Sequence, residues 1–219
     1  MNTISEIKND IKNKNFSPIY LLMGEEEFYI DNITNLFLEN VLTEQEKQFN
    51  LNILYGKETS VDQIISVCKK YPLMSKYQIV FIKEAQDLSR TFDGLVEYFR
   101  NPLKSTILII NYKHKPIDKR KSSFKELKKN AKVFESKKLY DNQVQNWISD
   151  TINLAGFSID RKSVSLINEH LGNSLSKISN EINKLLEIKK KEKVIESSDI
   201  EKYIGTVSYT HLTLPTTYG

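Results

Sequence analysis

The stretch best spaced for nucleotide chemistry opens at Gly24, directly after the apolar run Ile19 to Met23. A phosphate loop at this place needs G-x-x-x-x-G-K-[ST]. Its glycines let backbone N–H groups cradle phosphates, its lysine neutralises charge, and its hydroxyl reaches magnesium. Counting that spacing from Gly24 puts Tyr29 at the second glycine, Ile30 at the lysine and Asp31 at the hydroxyl. Glu25, Glu26 and Glu27 fill the loop. Three carboxylates repel a triphosphate, and no cation compensates. The partner half of such a site fails too. Ile79-Val80-Phe81-Ile82 ought to lead into an acidic magnesium ligand, but Lys83 comes first and Glu84 follows. Glu84 then has no phosphate cradle to act on. The sequence predicts a nucleotide site that has lost its chemistry at Gly24, Tyr29, Ile30 and Asp31.

The second chemical signal is charge. From Lys113 to Lys138 stand eleven basic residues against Asp118, Glu126 and Glu135, a local excess of eight positive charges in a chain whose net charge is +4. Such an excess attracts phosphate backbones. Lys113, Lys115, Lys119, Arg120 and Lys121 are the candidates for DNA contact. A solvated, lysine-rich helix and loop has the same composition. The stretch lacks the interleaved aromatics of a single-strand stacking platform.

The remaining chemistry-bearing residues read as structural. His114 and His170 have no acid or cysteine nearby at catalytic or metal spacing. Asn111 ends an apolar run and reads as a strand-end hydrogen bonder. Trp147 reads as core of a helical segment. Cys68, the one cysteine, shares a helix face with Val61 and Ile65 and reads as a buried, inert thiol. One cysteine forms no internal disulfide and no cysteine-built zinc site. No acidic pair stands in a metal-binding context, so no catalytic residue, metal or cofactor is expected.

These residues need elements to hold them. Five short apolar runs recur: Ile19 to Met23, Phe49 to Tyr55, Tyr77 to Ile82, Thr106 to Tyr112 and Lys132 to Phe134. The continuous runs Ile79–Ile82 and Ile107–Ile110 suit strands buried on both faces. Between the runs lie helical patterns. Ser60 and Gln63 form a capping box ahead of Val61, Ile64, Ile65 and Cys68, which keep one-face spacing. Alternating β and α implies a parallel sheet covered by helices. After Tyr140 the pattern becomes helical. Asp141 is expected to cap a helix carrying Val144, Ile148 and Ile152, with Gly156 ending it. Asp160 opens another, and Leu175, Ile178, Ile182 and Leu185 stripe a third. A short fourth follows Ser198, and Lys193 to Ile195 is a weak strand. The expected domains are 1–140, an ATPase-like α/β domain, and 141–205, a small helical lid.

With 219 residues, the chain is long enough for a real core. It shows no apolar run of membrane-spanning length and no signal-like apolar segment near Met1. The expectation is a soluble, cytoplasmic protein with no membrane partner. The last fourteen residues, 206–219, contain no Lys, Arg, Asp or Glu and five Thr. They read as a non-native tail, so that the natural chain would continue differently past Gly205.

Several stretches carry a family resemblance: Pro18-Ile19-Tyr20-Leu21-Leu22-Met23-Gly24-Glu25-Glu26, Tyr71-Pro72-Leu73-Met74-Ser75-Lys76-Tyr77-Gln78-Ile79-Val80 and Lys83-Glu84-Ala85-Gln86. Two more are Phe134-Glu135-Ser136-Lys137-Lys138-Leu139-Tyr140-Asp141-Asn142 and Leu171-Gly172-Asn173-Ser174-Leu175-Ser176-Lys177-Ile178. Together, and in this order across residues 1–205, they resemble the delta subunit of bacterial DNA polymerase III, in wording similar to its Bacteroidetes branch. The resemblance implies an AAA+-like first domain without nucleotide binding, a helical lid, and a third, collar domain that this sequence lacks. It implies no enzymatic activity of the chain's own within a holoenzyme that synthesises DNA. The implied partners are the sliding clamp (the beta subunit), the gamma or tau and delta-prime subunits of the clamp loader, and, weakly, primed DNA. It also implies that the pair Leu73-Met74, after Pro72, enters a pocket on the clamp. Pro72 would break the helix begun at Val61 and set the pair on an exposed turn. Without the resemblance, the residues alone favour Leu73 and Met74 folding back as a lid on the local core. The competing readings are an ATPase with a degenerate motif and a free-standing nucleic-acid-binding module that uses residues 113–138.

Overall fold

The structure, a computed structural model, describes residues 3–205. The expected foreign tail, 206–219, lies outside the described residues. The chain divides into two compact units, the first ending at Lys138 and the second starting at Leu139.

The first unit is a five-stranded parallel sheet. Its strands are β1 (Ile19–Gly24), β2 (Leu51–Tyr55), β3 (Gln78–Lys83), β4 (Thr106–Lys113) and β5 (Ala131–Ser136), in the order β2-β3-β4-β1-β5. β1, β3 and β4 are central, which is why their sequences are continuously apolar rather than alternating. Successive side chains point to opposite faces. Tyr20 and Leu22 therefore join one core, with Ile30, Ile33, Phe37, Ile79 and Ile107, while Leu21 and Met23 join the other, with Ile64, Leu95, Phe99, Leu108 and Leu127. Helices α1 (Ile4–Asn13) and α2 (Glu27–Asn40) supply the first core. Helices α4 (Val61–Cys68), α5 (Val96–Arg100) and α6 (Ser122–Asn130) supply the second.

Two boundaries differ from the sequence reading. Phe49 and Asn50 end a helix, α3 (Glu44–Asn50), instead of starting a strand. Thr43 and Glu46 cap it reciprocally, and that cap carries the helix up to β2. Pro72 does not end α4. The helix stops at Cys68, four residues earlier, where side chains from the sheet take its last carbonyls. Thr106 Oγ1 donates to the Cys68 carbonyl at 2.8 Å, and Gln78 Nε2 donates to the carbonyls of Val67 and Lys70.

The second unit holds α7 (Asp141–Leu154), α8 (Arg161–Leu171), α9 (Leu175–Ile188) and the short α10 (Ser197–Ile200). Two-residue strands β6 (Ser158–Ile159) and β7 (Val194–Ile195) pair in parallel. Val144, Ile148, Ile152, Ile167, Ile178, Ile182 and Leu185 form its buried faces. The cap of α7 is Tyr140, not Asp141, because the Tyr140 N–H is taken by the Gln143 side chain at 3.0 Å. Trp147 is half-buried at the edge of this core rather than within it. Among the described residues, no helix is long and apolar enough to cross a membrane.

Candidate functional site

In an open parallel sheet, ligands sit beyond the carboxyl ends of the strands where the strand order reverses. Here that place is the end of β1, between β4 and β5, and the chain itself fills it. Gly24 has φ +131°, a backbone region suited to glycine. A Cβ on it would lie 2.1 Å from the Ser136 carbonyl oxygen. The room left by the missing side chain is thus taken by β5, not by a phosphate. Helix α2 then begins at Glu27, leaving a two-residue link instead of a loop that could wrap phosphates. Glu26 caps the helix, its carboxylate accepting from the Phe28 N–H at 3.3 Å. A helix N-terminus favours an anion; here the protein's own carboxylate takes that position. Burial raises the Glu26 pKa, with the Phe28 N–H working against it.

The candidates beyond Glu26 separate along α2. Ile30 is wholly buried in the sheet core, and Tyr29 is half-buried against α1, its hydroxyl pKa raised by burial. Asp31 points back to the strand ends and meets Lys113 Nζ at 2.8 Å. Lys113 also stands 3.6 Å from Glu27 and 3.7 Å from Glu84. Burial works to lower the Lys113 pKa, but the hydrogen bond to Asp31 and the charges of Asp31, Glu84 and Glu27 outweigh it and raise it. His114 Nδ1 lies 2.9 Å from Glu27. The acids of the crevice therefore do have a compensating cation, contrary to the sequence reading, and it comes from the end of β4. Asn111, 1% exposed on the same strand, exchanges hydrogen bonds with Thr34 of α2. Among the described residues, no group of three or more His, Cys, Asp or Glu is placed to hold a metal ion. Cys68 is fully buried and burial pushes its thiol pKa up to about 12.

The turn between α4 and β3 is built differently. Leu73 is 56% exposed and Met74 93% exposed, next to an exposed Tyr71. Met74 has φ +53°, a left-handed conformation uncommon for a side chain of this size. The turn is nevertheless tied down. Asn50, at the end of α3, accepts from the Leu73 N–H at 2.7 Å and donates to the Leu73 carbonyl at 2.8 Å. Nothing in the sequence spacing of 50 and 73 announces that pair.

The basic stretch is largely spent on internal pairs. Lys113 is held in the crevice, its side chain 12% exposed, so it does not belong with the candidates for DNA contact. Lys119 meets Glu135 at 2.7 Å, Arg120 meets Asp118 at 3.1 Å and Lys121 meets Asp93 at 3.6 Å. Lys115 is exposed and, among the described residues, joins no ion pair.

A family model for the DNA polymerase III delta subunit matches residues 20–137, more than half of the chain. The chain belongs to the delta-subunit family. The Bacillus subtilis DNA polymerase III subunit delta is 25% identical over 198 residues, covering 83% of this chain and 55% of that protein. The solved Bacillus subtilis DNA clamp loader delta protein superposes with a TM-score of 0.74 at 21% identity, over 92% of this chain and 62% of that one. The fold also matches a Thermotoga maritima RuvB point mutant, an AAA+ protein, with a TM-score of 0.50 at 11% identity, over 95% of this chain and 71% of that one. The chain thus spans little more than half the length of its curated delta relative. Within the delta family match lie both the filled crevice and the exposed turn.

Proposed function

We propose that this chain is a clamp-loader delta subunit that grips the sliding clamp through Leu73 and Met74 and binds no nucleotide of its own. One observation carries the reading: two large apolar side chains stand in water on a turn whose backbone is fixed. Adjacent exposed apolar side chains on an ordered turn suit a surface that a partner covers. Burying each side chain contributes about 1.5–3 kcal/mol before the costs of association. Methionine adapts to an imperfect pocket. Family membership supplies the partner, and the filled crevice supports the absence of a nucleotide step. The remaining partners are the gamma or tau and delta-prime subunits and, weakly, primed DNA.

Clamp opening follows from differential affinity, since a ligand shifts an equilibrium only by binding one state better. The docked turn favours a clamp form with one interface released. The test is binding of the full chain to its cognate clamp, in ring and monomeric forms. Replacing Leu73→Ala together with Met74→Ala is expected to weaken binding about a hundredfold, the size of a two-residue hot spot. Undiminished binding by the double variant would refute the assignment of the turn. Equal affinity for ring and monomer would refute the opening mechanism.

A further inference from the structure

We propose that Asn50 is the positioning residue of the docking turn, holding Leu73 and Met74 in their binding arrangement before any partner arrives. The proposal rests on the clamp-docking reading above. Asn50 is 1% exposed, yet its amide serves the turn rather than only its own helix. Its oxygen accepts from the Leu73 N–H at 2.7 Å. Its nitrogen donates to the Leu73 carbonyl at 2.8 Å and to the Glu46 carbonyl at 3.1 Å. Two bonds to one residue fix both the position and the orientation of its backbone. A single bond would leave a hinge.

A further tie flanks this one. Gln78, at the start of β3, donates to the Lys70 carbonyl. The turn is therefore held at Lys70 and Leu73, while the side chains of Tyr71, Leu73 and Met74 stay in solvent. The polar contacts point into the protein and the apolar groups point out. A left-handed Met74 persists next to a residue whose backbone is fixed on both its N–H and its carbonyl. The ordering of the turn is completed on folding, so the partner meets a preformed shape.

A purely structural Asn50 would behave otherwise. Its loss would lower the folded fraction but leave the affinity of each folded molecule unchanged. The experiment uses the full chain with Asn50→Ala and Asn50→Asp. It reads the Kd for the cognate clamp, with the folded fraction from circular dichroism, and amide hydrogen exchange in the free chain. Asn50→Ala is expected to raise Kd about tenfold. Leu73 amide exchange is expected to accelerate by at least about tenfold, with the Ile79–Ile82 amides unchanged. Asn50→Asp keeps the acceptor for the Leu73 N–H and loses the donor to its carbonyl, so it is expected to lie between. In the Leu73→Ala, Met74→Ala background, Asn50→Ala is expected to have no further effect. Wild-type affinity in both Asn50 variants, with the Leu73 and Met74 variant lost, overturns the proposal and leaves the docking reading standing. Unchanged Leu73 exchange overturns it as well. Wild-type affinity in the Leu73 and Met74 variant overturns the docking reading and this proposal with it.

Discussion

Gly24 shows how one residue type can be retained for a different physical reason. In a phosphate loop, glycine lets an anion approach the backbone. Here the neighbour that needs the room is β5: the position a Cβ would take is 2.1 Å from the Ser136 carbonyl oxygen and 2.5 Å from its hydroxyl. The backbone atoms of Ser136 cannot step aside without breaking the β1–β5 pairing, in which Gly24 faces Ser136. With φ at +131°, any other residue adds backbone strain to the clash. Gly24→Ala is expected to cost about 2–4 kcal/mol of unfolding free energy, measured by urea denaturation. Adding magnesium and ATP is expected to leave the wild-type midpoint where it was. A tolerated alanine would show that β5 does not pack as described, and an ATP-dependent shift would restore a nucleotide role to the crevice.

At the scale of elements, the crevice is an electrostatic joint between α2, β3 and β4. Glu27 and Asp31 come from α2, Glu84 from the end of β3, and Lys113 from the end of β4. Lys113→Ala leaves three acids facing one another. Their side chains are 39–49% exposed, so solvent screens much of the repulsion. The expected loss is about 1 kcal/mol at low ionic strength, and added salt is expected to narrow the gap between variant and wild type. The pH sign follows from the raised lysine pKa. The unfolded group titrates near 10.5, so its contribution is complete below that pH and is lost as pH rises through the higher folded value. Urea titrations of both proteins at pH 7 and above pH 10 read this directly. The strands flanking the joint were legible in sequence, because Ile79–Ile82 and Ile107–Ile110 need no partner to look buried. So was the stripe Leu175, Ile178, Ile182 and Leu185, whose spacing is its own evidence of a helix face. The joint itself was not legible. Asp31 and Lys113 are 82 positions apart, and only the strand order β3-β4-β1 brings them together. Asn50 and Leu73 were hidden for the same reason: a side-chain bond to a backbone leaves no periodic trace. The end of α4 was misread because Pro72 is a visible breaker, while the carbonyl acceptors used by Gln78 and Thr106 are not.

For the whole molecule, the question is how much of the charge reaches a partner. The local excess between Lys113 and Lys138 looks like a nucleic-acid surface when read along the chain. In three dimensions, Lys113, Lys119, Arg120, Lys121, Lys129 and Lys132 all have carboxylate partners, the last at 2.6 Å from Asp10. Among the described residues, Lys115, Lys125, Lys128, Lys137 and Lys138 join no ion pair within 4 Å, and all five are exposed. A paired lysine must give up its carboxylate to meet a phosphate, so only the unpaired ones release counterions at little cost. Each neutralised phosphate contributes about −0.9 to the slope of log K against log salt on duplex DNA. Five contacts set a limit near −4.5. The isolated chain is expected to bind primed duplex only at the non-specific level, with Kd of about 10⁻⁴ M at physiological salt. The slope, measured by fluorescence anisotropy across a salt series, is expected to be no steeper than that limit. Replacing Lys125 and Lys128 with alanine is expected to flatten it by about 2. A slope near −8 would mean that the internal pairs open on DNA, and the basic stretch would then be a binding module in its own right. A shallow slope would leave the basic stretch as a solvated face without a nucleic-acid role of its own.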